Sequence, residues 1–113
     1  MKTLIFAFDF DGTICRHAFP RIGAPKYDTI DLIKKLKKDG HKIILWTCRD
    51  GRYLREAVDW SEKHGIVYDA VNENVEGINF KTSKKIFANI YVDDRALNVD
   101  DIRKIDKVIF NIK

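Results

Sequence analysis

The sequence has 113 residues, room for one domain and not for two. Hydrophobic residues make up 45% and charged residues 34%, which excludes intrinsic disorder, and 21 Lys and Arg against 17 Asp and Glu leave a net charge of +4, suited to an anionic ligand but too small for a basic nucleic-acid tail. Two cysteines, Cys15 and Cys48, exclude a dense disulfide framework, and no apolar run approaches the ~20 residues that cross a bilayer, so the expectation is a single soluble, cytoplasmic domain covering residues 1–113.

Thr3 to Phe8 is almost continuously apolar, the pattern of a strand covered on both faces, and Asp9 interrupts what otherwise resembles a signal sequence. An irregular, proline-containing stretch runs from Arg16 to Lys26. From about Thr29 to Asp39, Ile30, Ile33 and Leu36 recur at helical spacing, with Asp28 as the expected N-cap and Gly40 as the stop. Lys42 to Trp46 reads as a second strand, ending at Thr47, Cys48 and Arg49. A second helix, about Gly51 to His64, carries Leu54, Ala57 and Val58 and is closed by Gly65.

Val67 to Val71 is the expected third strand, Ser83 the cap of a short helix containing Ile86 and Phe87, and Asn89 to Val92 a fourth strand ending at Asp93 and Asp94. A helix from about Val99 to Ile105 and a strand from Val108 to Ile112 complete the series. Strands separated by helices imply right-handed crossovers. The predicted fold is therefore α/β, a doubly wound, mainly parallel, Rossmann-like sheet with helices on both faces.

Polar residues gather where three of these strands end: Asp9, Asp11, Gly12 and Thr13 after the first, Thr47 after the second, Asp93 and Asp94 after the fourth. The carboxyl ends of strands frame the ligand crevice in such sheets. Asp9 and Asp11, two apart, leave an extended chain on the same face. Taken singly, Asp11-Gly12 is equally a turn and Asp93-Asp94 before Arg95 equally a helix cap. Together, four carboxylates in a cleft repel one another unless a cation sits among them, and a hard divalent ion such as magnesium, held by oxygens, removes that repulsion.

Phe8-Asp9-Phe10-Asp11-Gly12-Thr13 resembles the first signature of the haloacid dehalogenase superfamily of aspartate-nucleophile phosphohydrolases, Asp-x-Asp-Gly-Thr after hydrophobic residues. Leu45-Trp46-Thr47 is similar to its second signature and Ile90-Tyr91-Val92-Asp93-Asp94 to its fourth, with Lys81, Lys84 and Lys85 as candidates for the third. The resemblance implies Asp9 as nucleophile and Asp11 as the acid that protonates the leaving group and then the base that activates water. It implies Thr47 and a lysine, taken as Lys85, around the transferring phosphoryl group, with Lys84 next in order. Magnesium falls to Asp9, the backbone carbonyl of Asp11, Asp93 and Asp94, and substrate contacts to the backbone near Gly12 and Cys48 and to the side chain of Arg49, which has Asp50 as an alternative partner.

The intervals from Thr13 to Trp46 and from Arg49 to Lys85 are too short for the cap domain that the superfamily commonly inserts there. The resemblance therefore implies an uncapped site, open to a bulky phosphorylated substrate such as a phosphoprotein or nucleic-acid end, or closed by a second copy in a homo-oligomer, with no membrane partner. Arg16 and His17 fall where the superfamily has a flap over the site. Trp46, Trp60, Tyr53 and Phe19 offer apolar contact area, or core. A signalling receiver has similar size and fold but needs its phosphoacceptor on a different strand from its acidic pair. A non-catalytic binding protein on the same fold is the remaining alternative, and the four lysines of the first helix read as a solvated face more than as a phosphate footprint.

Overall fold

The computed structural model describes residues 2–95. The expected helix at Val99 to Ile105 and strand at Val108 to Ile112 lie outside the described residues. In chain order the elements are β1 (Ile5–Phe8), α1 (Tyr27–Lys38), β2 (Lys42–Leu45), α2 (Gly51–Lys63), β3 (Ala70–Val71) and β4 (Ile90–Val92). The four strands pair in parallel in the order β3-β2-β1-β4, which bears out the α/β, parallel-sheet expectation. Successive strands step one way from β1 to β3, and the chain then crosses back to place β4 on the other side of β1. That reversal opens a crevice at the carboxyl ends of β1 and β4.

Side chains alternate across the pleat, so β1 and β2 each serve two layers. Phe6, Phe8, Ile43 and Leu45 meet Ile30 and Ile33 of α1 and Ala57 of α2 on one face. Ala7, Ile44 and Ala70 meet Val75, Ile86 and Ala88 on the other. Helices on both faces were expected, but among the described residues both helices pack on a single face, and the irregular segment between β3 and β4 covers the second. Ile44 is fully buried at the centre of that second layer, where truncation to Ala would cost on the order of 2–5 kcal/mol.

Helix α1 begins two residues earlier than expected. Lys26 is the cap residue, its carbonyl accepting from Thr29 and Ile30, and Asp28 sits inside the first turn, where its charge complements the helix dipole. The helix stops as foreseen: at Gly40 the chain turns left-handed (φ +91°), Gly40 N–H donates to Lys37 and His41 N–H to Leu36. Matching bonds close α2 at Gly65.

Two expectations in the second half are corrected. The third strand is only Ala70–Val71, and Val67 is exposed. No helix forms around Ile86 and Phe87. There the Asn74 side chain takes the Phe87 N–H at 2.6 Å and donates to Thr82 Oγ1, a local alternative to helical bonding, while Ile86 packs on the sheet.

Candidate active site

Register assembles the cleft. Phe8 pairs with Leu45 on one side and Val92 on the other, so the next residues of all three strands, Asp9, Trp46 and Asp93, emerge at one edge. Asp9 N–H donates to the Val92 carbonyl (3.0 Å) and Trp46 N–H to Phe8 (2.8 Å), carrying the pairing to the last residue before the loops. The resulting cleft, about 580 Å³, is lined by Asp9, Asp11, Thr47, Cys48, Arg49 and Asp93, together with His17, Phe19, Trp46 and Arg95.

Beyond Asp9 the chain turns about the buried Phe10, whose carbonyl accepts from Thr13 and Ile14. Gly12 is left-handed (φ +87°), and a Cβ there would run into the Asp94 carboxylate and the His17 ring. Thr13 Oγ1 accepts from the Asp94 N–H at 3.2 Å and Lys26 Nζ donates to the Gly12 carbonyl at 3.1 Å, so the loop after β1 is tied to the loop after β4 and to the start of α1.

The turn sends the two aspartates of the loop to different partners. Asp9 joins Asp93 and Asp94, and one ligand atom from each of the three lies within 4.8 Å of the others. Burial, and then the negative charges of Asp93, Asp94 and Asp11, push the Asp9 carboxyl up to about 6 against the pull of a Phe10 backbone hydrogen bond. Three hard oxygen donors with mutual repulsion fit a divalent cation. At Asp94 desolvation is the largest single influence and acts upward, but the hydrogen bond and charge of His17, whose Nε2 lies 3.0 Å from Oδ2, together with Asp93 and Arg95, outweigh it and hold the carboxyl below its ordinary value.

The Asp11 carboxylate lies instead on Arg49. Nε donates to Oδ2 at 2.7 Å and Nη2 to Oδ1 at 2.8 Å, a bidentate pair around a guanidinium that is almost wholly buried. The same guanidinium donates to the carbonyls of Pro20, Arg21 and Tyr53 and lies over the rings of Phe10 and Phe19. The hydrogen bonds that Arg49 donates to Asp11 raise its pKa further, against the effect of burial. Its partner is thus Asp11, 38 positions upstream, and not the neighbouring Asp50.

Thr47 lines the cleft with its N–H held by Asn72 Oδ1 (2.8 Å) and its hydroxyl oxygen accepting from Arg49 N–H (3.1 Å), which leaves the hydroxyl proton to donate. Cys48 is exposed at the cleft, whereas Cys15 is buried in the core and its thiol pKa is raised by that burial. The candidate lysines stay outside: Lys81, Lys84 and Lys85 are exposed, none lines the cleft, and Lys85 Nζ lies 5.2 Å from the Tyr91 ring centroid. Arg95 lines the cleft in their place, its N–H on Asp93 Oδ1 and its Nη2 3.5 Å from His17 Nε2. Its position directly after the aspartate pair was the signal for it. Asn72, missed altogether, carries no sequence signal beyond lying just past a strand.

The chain matches the haloacid dehalogenase-like hydrolase family over residues 6–107. It is also similar to a solved structure, a conserved protein from Bacteroides thetaiotaomicron, with 34% identity, a TM-score of 0.77 and coverage of 99% of this chain and 93% of that one. A search of curated proteins found no match. Among the described residues no helix is long and apolar enough to cross a membrane. A family match spanning nearly the whole sequence, on a sheet whose strand ends carry the acidic cleft, means that this chain belongs to the haloacid dehalogenase-like hydrolases.

Proposed function

We propose that the chain is a single-domain, uncapped, magnesium-dependent phosphomonoester hydrolase working through an aspartyl-phosphate on Asp9. The observation that carries this reading is the clustering of Asp9 with Asp93 and Asp94 in the cleft that also holds Thr47 and the Asp11–Arg49 pair. Asp9 attacks phosphorus, the bond to the leaving oxygen breaks, and Asp11 gives that oxygen its proton; Asp11 then takes a proton from the water that cleaves the acyl phosphate and releases inorganic phosphate. Each Asp11 oxygen accepts one N–H of Arg49, which leaves a second lone pair on each for the proton that the acid step requires. Thr47 donates its hydroxyl proton to a transferring oxygen, with Arg95 and His17 as nearby cationic or donor groups. Asp9, Asp93 and Asp94 would hold magnesium, whose charge offsets the repulsion between carboxylate and phosphoryl group.

The test is hydrolysis of p-nitrophenyl phosphate by the wild type and Asp9→Asn, each with magnesium and with excess chelator. Release that needs magnesium and disappears in Asp9→Asn is expected; release that survives the substitution defeats the covalent route. A second reading, a non-catalytic phosphoryl-binding domain, draws on the position of Lys85 over Tyr91, outside the cleft. It predicts phosphate binding without turnover in the same assay.

A further inference from the structure

Phe19 differs from the other exposed apolar side chains. Tyr27, Leu32 and Val67 are exposed too, but only Phe19 of this set lines the cleft. The residue is 56% exposed, yet its ring is contacted from two sides: the Arg49 guanidinium carbon lies 5.0 Å from its centroid and Tyr53 meets it edge-on at 5.5 Å and 62°. Arg49 also grips the carbonyls of the next two residues, Pro20 (3.3 Å) and Arg21 (2.9 Å). The stem of this segment is tied by the bonds from Arg16 to Ala24 and from Lys26 to Ile14. Held by a buried cation and a second ring, Phe19 is one of the residues that line the cleft.

Trp46, half-buried, lines the same cleft from the end of β2 and is anchored in the second core layer. Two aromatic surfaces in a cleft of about 580 Å³, within the range of small-molecule sites, are the recognition chemistry for a flat π-system. Pinning the ring in advance removes part of the ordering cost of stacking against it.

Resting on the phosphatase reading above, we infer that Phe19 and Trp46 form an aromatic wall for a planar ring on the leaving group, so that the substrate class is a phosphomonoester of a nucleoside. Adenosine 5′-monophosphate and ribose 5-phosphate test this directly, because both leave through the same primary alcohol and differ by the base. In the wild type the ratio of kcat/KM for the nucleotide over the sugar phosphate is expected to be about tenfold, the scale of one base stacked on an aromatic side chain. It falls toward one in Phe19→Leu, which keeps apolar bulk without the ring, and is kept in Phe19→Trp, whatever the absolute rates. A wild-type ratio near one overturns the inference, as does a ratio that Phe19→Leu leaves unchanged. A 5′-phosphorylated tetranucleotide run alongside assigns the wall to a free nucleotide or to a chain end, according to which is turned over with the higher kcat/KM. If neither small substrate is hydrolysed, hydrolysis of p-nitrophenyl phosphate judges the phosphatase reading separately, and calorimetric titration with the same two ligands decides the wall: tighter nucleotide binding supports it, equal or absent binding overturns it.

Discussion

Arg49 holds both carboxylate oxygens of Asp11, at 2.7 and 2.8 Å, from a position at which its own side chain is 1% exposed. One guanidinium thereby joins the loop after β1, the Pro20 and Arg21 backbone and the first turn of α2. A desolvated bidentate pair resists loss of either partner, since the survivor is left as an unpaired charge in a poorly hydrated place. Such a placement suits a residue that positions Asp11 better than one that meets substrate phosphate.

Arg49→Lys keeps the charge and loses the fork. Expected is a loss of stability on the order of 3 kcal/mol, read by urea unfolding. Expected too is a fall in kcat that is steeper for alkyl phosphates than for p-nitrophenyl phosphate, because a good leaving group needs less help from the acid on Asp11. Inhibition by inorganic phosphate should be nearly unchanged. A large rise in its inhibition constant would make Arg49 a phosphate ligand after all.

Asp9 gives a pH dependence whose sign follows from its shift. The free carboxyl ionises near 3.8 and the folded one near 6, so between these values the folded chain keeps a proton that the unfolded chain has lost. Stability of the chelated protein therefore falls as pH rises through this window, by on the order of 1–2 kcal/mol once solvent screening of the half-buried group is allowed for, and stays lower above it. Asp9→Asn removes the effect. In thermal unfolding with chelator the variant should be more stable than the wild type at pH 7.5 and close to it at pH 4.5, and magnesium should recover wild-type stability at pH 7.5.

The strand ends were legible because parallel register needs only the apolar runs, and the first polar residues beyond Phe8, Leu45 and Val92 must then share an edge. What was not legible depends on packing between distant loops. Nothing in the spacing links Asp11 to Arg49 across 38 residues, and the Asp9 and Asp11 side chains part company only because the chain turns at Phe10. The helix expected at Ile86 and Phe87 yields to the Asn74 side chain, 13 residues away from the N–H it satisfies. In the same way the choice among Lys81, Lys84 and Lys85 rested on spacing to β4, which says nothing of Tyr91 as a resting place for Lys85.

That displacement makes a prediction about charge. Arg95 lines the cleft and Lys85 does not, so Arg95→Ala should lower kcat/KM for a phosphomonoester by on the order of tenfold or more, and Lys85→Ala by less. Steady-state kinetics on the two variants settle the order. If Lys85→Ala proves the more damaging, the segment before β4 must carry that lysine into the cleft when substrate binds.

Asn72 sits just past β3 with φ +54°, its N–H on the Leu45 carbonyl and its Oδ1 accepting from Thr47 N–H at 2.8 Å. It does two separable things: it tolerates a left-handed backbone and it fixes the loop that presents Thr47. Asn72→Gly keeps the first and loses the second, whereas Asn72→Ala loses both. Relative to Asn72→Gly, Asn72→Ala should be less stable by about 1 kcal/mol in urea unfolding, the cost of a Cβ at positive φ. Both should reduce kcat to a similar extent, because in each the Thr47 N–H is left without its acceptor and the hydroxyl beside it is no longer held. Full activity in Asn72→Gly would mean that Thr47 is placed by its bond to the Arg49 N–H alone.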